Sequence, residues 1–371
     1  MKTVHVVFES PQARSSGAAL RNRALGSSLS RLGPSSLIAV QDHFAGGNGR
    51  PERKASRIEA RIPAEVIKSV LHAVAAQAPD AVIIDGIYLG DVAHALVEAG
   101  HRVILDMHNI ESALQQEIDL ARRGWIARLF YRNRWKQGRD AEGALAKRVA
   151  GVWLCSAQDA DILRRIAPDH APIAVVPNPV PEWCQAADPA PAAQSGANAI
   201  FVGHLGYRPN DRAARRLIRQ IQPILRARLP DFSLTICGRS PGRRLRAMGA
   251  GQAGVELVAD PPDLAPFYSR AAMTLIPLTE GGGTRLKVLE ALALGVPVIA
   301  TAKAVEGIAV VDQETFLAAE TDEDFARAAE RLARDDALRA ALARRGYDFV
   351  AAHHMAPAID QAVAAGLGQP G

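Results

Sequence analysis

Apolar residues along this chain gather into short β-branched runs, separated by longer stretches in which they recur every three or four positions. In the first half, Val4–Phe8, Leu37–Val40, Ala81–Asp85, Arg102–Asp106, Gly151–Cys155 and Ile173–Val176 predict strands. Runs that are apolar on both faces belong to parallel strands covered by helices, so this half predicts a βα-alternating domain. A second series starts at Ala199–Gly203 and continues through Ser233–Gly238, Val255–Val258, Met273–Pro277 and Val296–Ala300, with helical spacing between them, as in Asp211–Arg228. Between the series, Pro177–Asn198 is dense in Pro, Ala and small polar residues and predicts a linker. The expected architecture is α/β, with two Rossmann-like domains facing across a cleft, residues 1–180 and 198–345, joined by a linker at 181–197. The last helical stretch begins near Ala337, and residues 346–371 are expected to pack back on the first domain.

Composition adds constraints. A chain of 371 residues exceeds one usual core and matches two domains. With 48% hydrophobic but only 5% aromatic residues, the interior is built from Ala, Leu, Val and Ile, and extended disorder is excluded. A net charge of +5 favours anionic ligands or surfaces without singling out nucleic acid. Cys155, Cys184 and Cys237 form no CxxC pair, which points to structural thiols in a reducing cytoplasm and not to zinc. The opening MKTVHVVFES is too short for a signal-peptide core, and no run reaches the roughly 18 apolar residues of a membrane span.

The most informative chemistry lies in Pro277–Thr301, PLTEGGGTRLKVLEALALGVPVIAT. Gly281, Gly282 and Gly283 let backbone N–H groups approach a ligand closely, and Thr284 is expected to open an apolar helix through Leu286, Leu289 and Leu292. Such a helix start presents unpaired N–H groups and a positive dipole end to an anion, most naturally a phosphate. Arg285 and Lys287 add full charges, and Glu290 stands one turn further in, placed to accept from hydroxyls.

The segments FVGHLGYRPN, LTICGRSP, DL..FYSRAAMTLIPL and G.G.RLKVLEALALGVPVIAT, taken in order, resemble the donor domain of family 4 retaining glycosyltransferases of GT-B fold. In the first half, DMHNIES resembles that family's acceptor-side histidine motif, LCSAQDA its strand followed by a Ser-x-x-Asp helix start, and VVPNPV its hinge. The resemblance implies transfer of a sugar from a nucleotide-diphosphate donor to a glycan, lipid-linked or small-molecule acceptor, with retention and with neither metal nor other cofactor. Polysaccharide, glycolipid and natural-product glycoside assembly all match this expectation. A GT-B nucleotide-sugar epimerase and a catalytically silent nucleotide-sugar binding protein are the alternatives.

The site residues the resemblance implies are His108, beside the transferred sugar, and Glu290, on the donor ribose. Two departures accompany them. Gly282 stands eight residues before Glu290, where the family carries an acid, so Glu280 is the nearest substitute for a catalytic role near the sugar. His204 takes the place of the family's diphosphate-binding arginine, which leaves Arg285, Lys287 and Arg208 as the nearest cations. The expected donor set is therefore Gly203, His204, Arg208, Arg239, Gly282, Gly283, Thr284, Arg285, Lys287 and Glu290.

Other readings stay open at single positions. His204 either meets the ligand or packs at a strand end. His108, neutral at pH 7 if its titration is ordinary, stabilises an oxocarbenium-like centre, orients the sugar, or is structural. The loop Ser10–Asn22 carries Ser16 and Gly17, expected on the acceptor side, while Arg14, Arg21 and Arg23 either meet an anionic acceptor or form a solvated helix face. Asp85 and Asp106 are the remaining metal candidates, although no D-x-D pair stands at a strand end. Ala121–Asp140 combines seven Arg or Lys with Trp125, Ile126, Leu129 and Phe130 on one helical face. Its aromatics either pack into the first core or lie on an anionic membrane, which would put a cytoplasmic enzyme peripherally on the inner face. No nucleic-acid-binding signature accompanies the basic stretch.

Overall fold

The computed structural model describes residues 1–10, 17–45, 51–54, 56, 58–185, 196–282 and 285–368. Two compact units result: Met1–Pro179 with Gly282–Thr284 and Ala356–Gly371, and Val180–Gly281 with Arg285–Met355.

The first unit runs β1 (Thr3–Val7), α1 (Gly17–Leu32), β2 (Ser35–Ala39), a small antiparallel pair β3 (Glu52–Arg53) and β4 (Ala60–Arg61), and α2 (Ala64–Ala75). It continues through β5 (Ala81–Asp85), α3 (Gly90–Glu98), β6 (Val103–Met107), α4 (Glu111–Arg123), α5 (Trp125–Arg148), β7 (Gly151–Leu154), α6 (Ala157–Ile166) and β8 (Ile173–Val175). Its six-stranded parallel sheet has the order β2-β1-β5-β6-β7-β8. The strands are buried on both faces, Val4, Val82 and Ile84 on one side and Ile83, Ile104 and Trp153 on the other, which is why they read as continuous apolar runs. The chain steps from β1 outward to β2 and then returns to β5 on the other side. That reversal opens a crevice beyond the carboxyl ends of β1 and β5.

The second unit runs β9 (Asn198–Val202), α7 (Arg208–Arg216), α8 (Gln222–Arg228), β10 (Ser233–Gly238), α9 (Arg243–Ala250), β11 (Val255–Ala259), α10 (Ala265–Tyr268) and β12 (Met273–Ile276). It ends with α11 (Leu286–Ala293), β13 (Val298–Ala300), β14 (Leu317–Ala318), α12 (Asp322–Arg334) and α13 (Asp336–His353). Its parallel sheet, β11-β10-β9-β12-β13-β14, repeats the design, with the reversal between β9 and β12. One π-helical turn, Leu217–Ile221, joins α7 to α8 just before Pro223, whose missing N–H interrupts the ordinary ladder.

Several expectations need correction. The final helical stretch is two helices, not one: α13 packs on α11 in the second unit, and α14 (Ala356–Gly366) packs on α1 and β8 in the first. The switch between units thus comes at Ala356, later than the expected 346. The expected linker is structured at its start, where Val180 and Cys184 are buried in the second core; residues 186–195 of it lie outside the described set. The core-packing reading of Ala121–Asp140 fails for its tip, since Trp125, Leu129 and Phe130 are each more than 70% exposed. Trp135 does turn inward, donating from Nε1 to Asp119 at 3.1 Å. All three cysteines are free and buried.

Candidate active site

Each unit gathers a set of polar side chains at its sheet reversal. In the first, β5 ends on Asp85, β6 carries Asp106, and His108 follows directly after β6. The partners come from α1. Arg21 donates from Nε to Asp106 at 2.9 Å and from Nη2 at 2.6 Å. Its Nη1 donates to the carbonyls of Val176 at 2.9 Å and Pro177 at 3.2 Å and to Asn178 Oδ1 at 3.3 Å. Asn22 donates to Asp85 at 2.8 Å. His108 Nε2 stands 2.9 Å from Asp85 and 3.6 Å from Asp106, at ion-pair range but without an aligned hydrogen bond.

Two carboxylates and two cations therefore share one largely dry site, and each alters the others. Burial alone would lift Asp106, but the Arg21 guanidinium overrides it and holds the carboxyl well below its usual range. Asp85 is held down too, with His108 outweighing burial. Burial would lower His108, yet the Asp85 and Asp106 carboxylates push it up to about 10. At neutral pH this residue is an imidazolium, which corrects the expectation of a neutral ring. A positive ring donates hydrogen bonds and accepts none, so it suits orienting a sugar hydroxyl and not sheltering a cationic oxocarbenium. Arg21 is likewise no solvated face residue: it is almost fully buried.

Asp85, Asp106 and His108 bring ligand atoms within 4.8 Å of one another, close enough for a metal ion. Asp106 is already engaged by the Arg21 guanidinium through two of its donors, which leaves Asp85 and the His108 ring as the ligands free for such an ion. Ser16 lies outside the described residues, and Gly17 is the first residue of α1.

In the second unit, Gly203 follows β9 and Gly238 ends β10. A Cβ on Gly238 would fall 1.7 Å from the Gly203 carbonyl oxygen, so this pair of glycines lets backbone meet backbone. His204 is exposed, which overturns the reading that packs it at a strand end; its carbonyl accepts from Asn210 Nδ2 at 3.0 Å. Arg239 is exposed as well, and its carbonyl accepts from the Leu205 N–H at 2.8 Å. Arg208 opens α7, where its Nε lies 3.6 Å from Glu280, and Arg212 donates to the same carboxylate at 3.0 Å. Glu280 and Arg208, expected in separate roles, form one ion-pair cluster.

The glycine run enters α11 through Gly281, whose φ of +101° is a left-handed value that other residues rarely adopt. Gly283 and Thr284 lie outside the described residues, and the helix begins at Leu286, two residues later than expected. A Cβ on Gly282 would meet Leu114 Cδ1 at 1.9 Å within the first unit, so an acid at this position would have to displace that leucine. Among the described residues no side chain caps the start of α11 and no acid occupies its first turn, so the positive dipole end there has no counter-charge from them. Arg285, at the cap position, is 8% exposed and donates from Nη2 to the Gly281 carbonyl at 3.1 Å and to Glu306 at 2.9 Å. Its Nε is buried without a partner among the described residues. Lys287 donates to Asn210 Oδ1 at 3.1 Å above the Phe201 ring, and burial pulls its ammonium down to about 8. Glu290 accepts from Tyr268 at 3.2 Å; burial pushes its carboxyl up while Lys287 opposes.

Asn22, Asn210, Tyr268 and Glu306 were not expected at the sites, and Arg21 was weighed only as an acceptor contact or a solvated residue, not as a partner of Asp106. Asn210 and Tyr268 had a local signal, lying inside the segments FVGHLGYRPN and DL..FYSRAAMTLIPL.

Two family models cover most of the chain. Residues 7–179 match the glycosyl transferase 4-like domain, and residues 196–335 match glycosyl transferases group 1. No curated protein matches the sequence significantly. Among solved structures, sucrose-phosphate synthase from Thermosynechococcus elongatus superposes with a TM-score of 0.69 at 19% identity, covering 98% of each chain. The pneumococcal O-GlcNAc transferase GtfA, solved with UDP and GlcNAc, gives 0.70 at 12% identity over 99% of this chain and 98% of its own. Anabaena Alr3699/HepE in complex with UDP gives 0.68 at 13%, over 99% and 100%. The fold is GT-B: α/β, with two parallel six-stranded sheets. The chain belongs to the glycosyltransferase superfamily and is a sugar-transferring enzyme.

Proposed function

We propose that this chain is a retaining, metal-independent glycosyltransferase of family 4 type that moves a sugar from a nucleotide-diphosphate donor to an acceptor hydroxyl. One observation carries the reading: two cations, Arg285, whose buried Nε has no partner among the described residues, and Lys287, stand at the start of α11 about one turn before the buried Glu290. That combination suits a diphosphate followed by a ribose. Gly203, His204, Arg208, Arg239 and the 282–284 backbone complete the donor side, with Ser16 and Gly17 toward the acceptor.

His108 donates to a hydroxyl of the transferred sugar, while Asp85, Asp106 and Arg21 hold the ring in position and charged. As the bond from the anomeric carbon to the phosphate oxygen breaks, the departing diphosphate keeps the electron pair and is stabilised by the α11 start, Arg285 and Lys287. The acceptor oxygen bonds to the same face, and its proton passes to the departing phosphate oxygen, so no protein base is needed. Glu280, paired with Arg208 and Arg212, acts near the sugar only by exchanging that pairing. The acceptor is a glycan, a lipid-linked sugar or a small molecule. We place the enzyme in the cytoplasm, peripheral on the membrane through Ala121–Asp140.

The test is nucleotide release from a panel of nucleotide sugars, with and without acceptors, and the anomeric configuration of the product by NMR. Acceptor-dependent release with a retained linkage supports the reading. A donor altered without acceptor indicates an epimerase, and donor binding without turnover indicates a silent binding protein.

A further inference from the structure

The tip of the α4–α5 hairpin carries large apolar side chains that no other described residue covers. Trp125 and Phe130 are each 76% exposed and Leu129 is 73% exposed, with Ile126 beside them. On a helix advancing about 100° per residue, these four occupy an arc of about 140°. Arg128, Arg132 and Lys136, all exposed, line one edge of that arc. The opposite side of α5 is inward, with Ala127, Trp135 and Gly138 buried and Trp135 bonded to Asp119 of α4. The face is thus fixed by packing on its back and is not a frayed segment. Residues 121–140 hold seven basic side chains and one acidic one. Among the described residues no helix is long and apolar enough to cross a membrane.

We propose that this face docks onto the surface of an anionic bilayer. Trp125, Leu129 and Phe130 enter the interfacial region, and Arg128, Arg132 and Lys136 pair with lipid phosphates. The charge decides the occupant: a second copy of this chain would set like charges against each other, whereas anionic headgroups complement a cationic edge beside an aromatic face. The inference rests on the peripheral location proposed above and not on the transfer chemistry. The hairpin grows from the His108 loop, and the 13 residues of α4 put the docking tip about 20 Å from it, so tip substitutions leave the sugar site untouched.

The experiment is vesicle co-sedimentation of the full chain with phosphatidylcholine alone and with an equimolar phosphatidylcholine–phosphatidylglycerol mixture, following tryptophan emission. We expect binding to the mixed vesicles with a blue shift, weakened by salt. Arg128→Gln with Arg132→Gln should weaken binding roughly thirtyfold. Trp125→Ser with Phe130→Ser should lose the blue shift, with thermal melting unchanged in both variants because these side chains are exposed. Equal binding to both vesicle types overturns the anionic preference while keeping the peripheral location. Binding to neither overturns both. Unchanged binding by the variants, or a dimer in solution that Trp125→Ser with Phe130→Ser dissociates, assigns the face to something else.

Discussion

Arg21 and Asp106, 85 positions apart in the chain, form a two-pronged ion pair with essentially no exposure, Nη2 to carboxylate at 2.6 Å. The same guanidinium reaches the carbonyls of Val176 and Pro177, so one side chain joins α1, β6 and the end of the first unit. Removing it strands a carboxylate in a dry interior. Arg21→Met should cost about 3–5 kcal/mol in urea unfolding. Arg21→Lys should recover little, because an ammonium cannot reproduce the fork. Arg21→Met with Asp106→Leu should regain most of the loss. A single variant as stable as wild type would show that the pair does not organise this site.

The charge on His108 predicts a pH signature. Its pKa, about 10, lies above its ordinary 6.5, so the stability it contributes is full below about pH 6.5 and is lost as pH rises toward about 10. Wild-type melting temperature should fall across that window, and His108→Asn should flatten this part of the fall. In Asp85→Asn the imidazole titration, followed by NMR, should move down toward the ordinary value. An imidazole already neutral at pH 7 in the wild type would contradict the assignment.

Lys287 predicts a proton linkage of the opposite kind. Burial pulls its ammonium down to about 8, and a bound diphosphate favours the charged form. Nucleoside diphosphate binding should therefore take up a proton above about pH 8, seen as a dependence of calorimetric heat on buffer ionisation enthalpy. Lys287→Arg, always charged, should abolish that uptake while binding persists. Uptake that survives the substitution would place the proton elsewhere.

The sheets were legible because strands buried on both faces leave uninterrupted β-branched runs, and Ala81–Asp85 and Ser233–Gly238 match in the structure to the residue. The start of α11 was legible in kind, since glycines followed by cations carry a local meaning. The Arg21–Asp106 pair was not, because an arginine on a helix looks solvated until a carboxylate from a distant strand arrives beneath it. Trp125 to Phe130 misled for a related reason: periodicity reports that a face is apolar, not what covers it. Of the paired acids, Asp85 and Asp106 each close or nearly close an apolar run, a hint that gained meaning only with His108 between them.

The central claim is that Arg285, Lys287 and Glu290 form the donor site, and calorimetric titration of a nucleoside diphosphate panel tests it most directly. Lys287→Ala should lower affinity about ten- to hundredfold and Glu290→Ala about tenfold, as expected for losing charge-assisted hydrogen bonds, with both variants folded and Glu290→Ala melting lower because the buried Tyr268 hydroxyl loses its acceptor. Affinity unchanged in both folded variants would contradict the account.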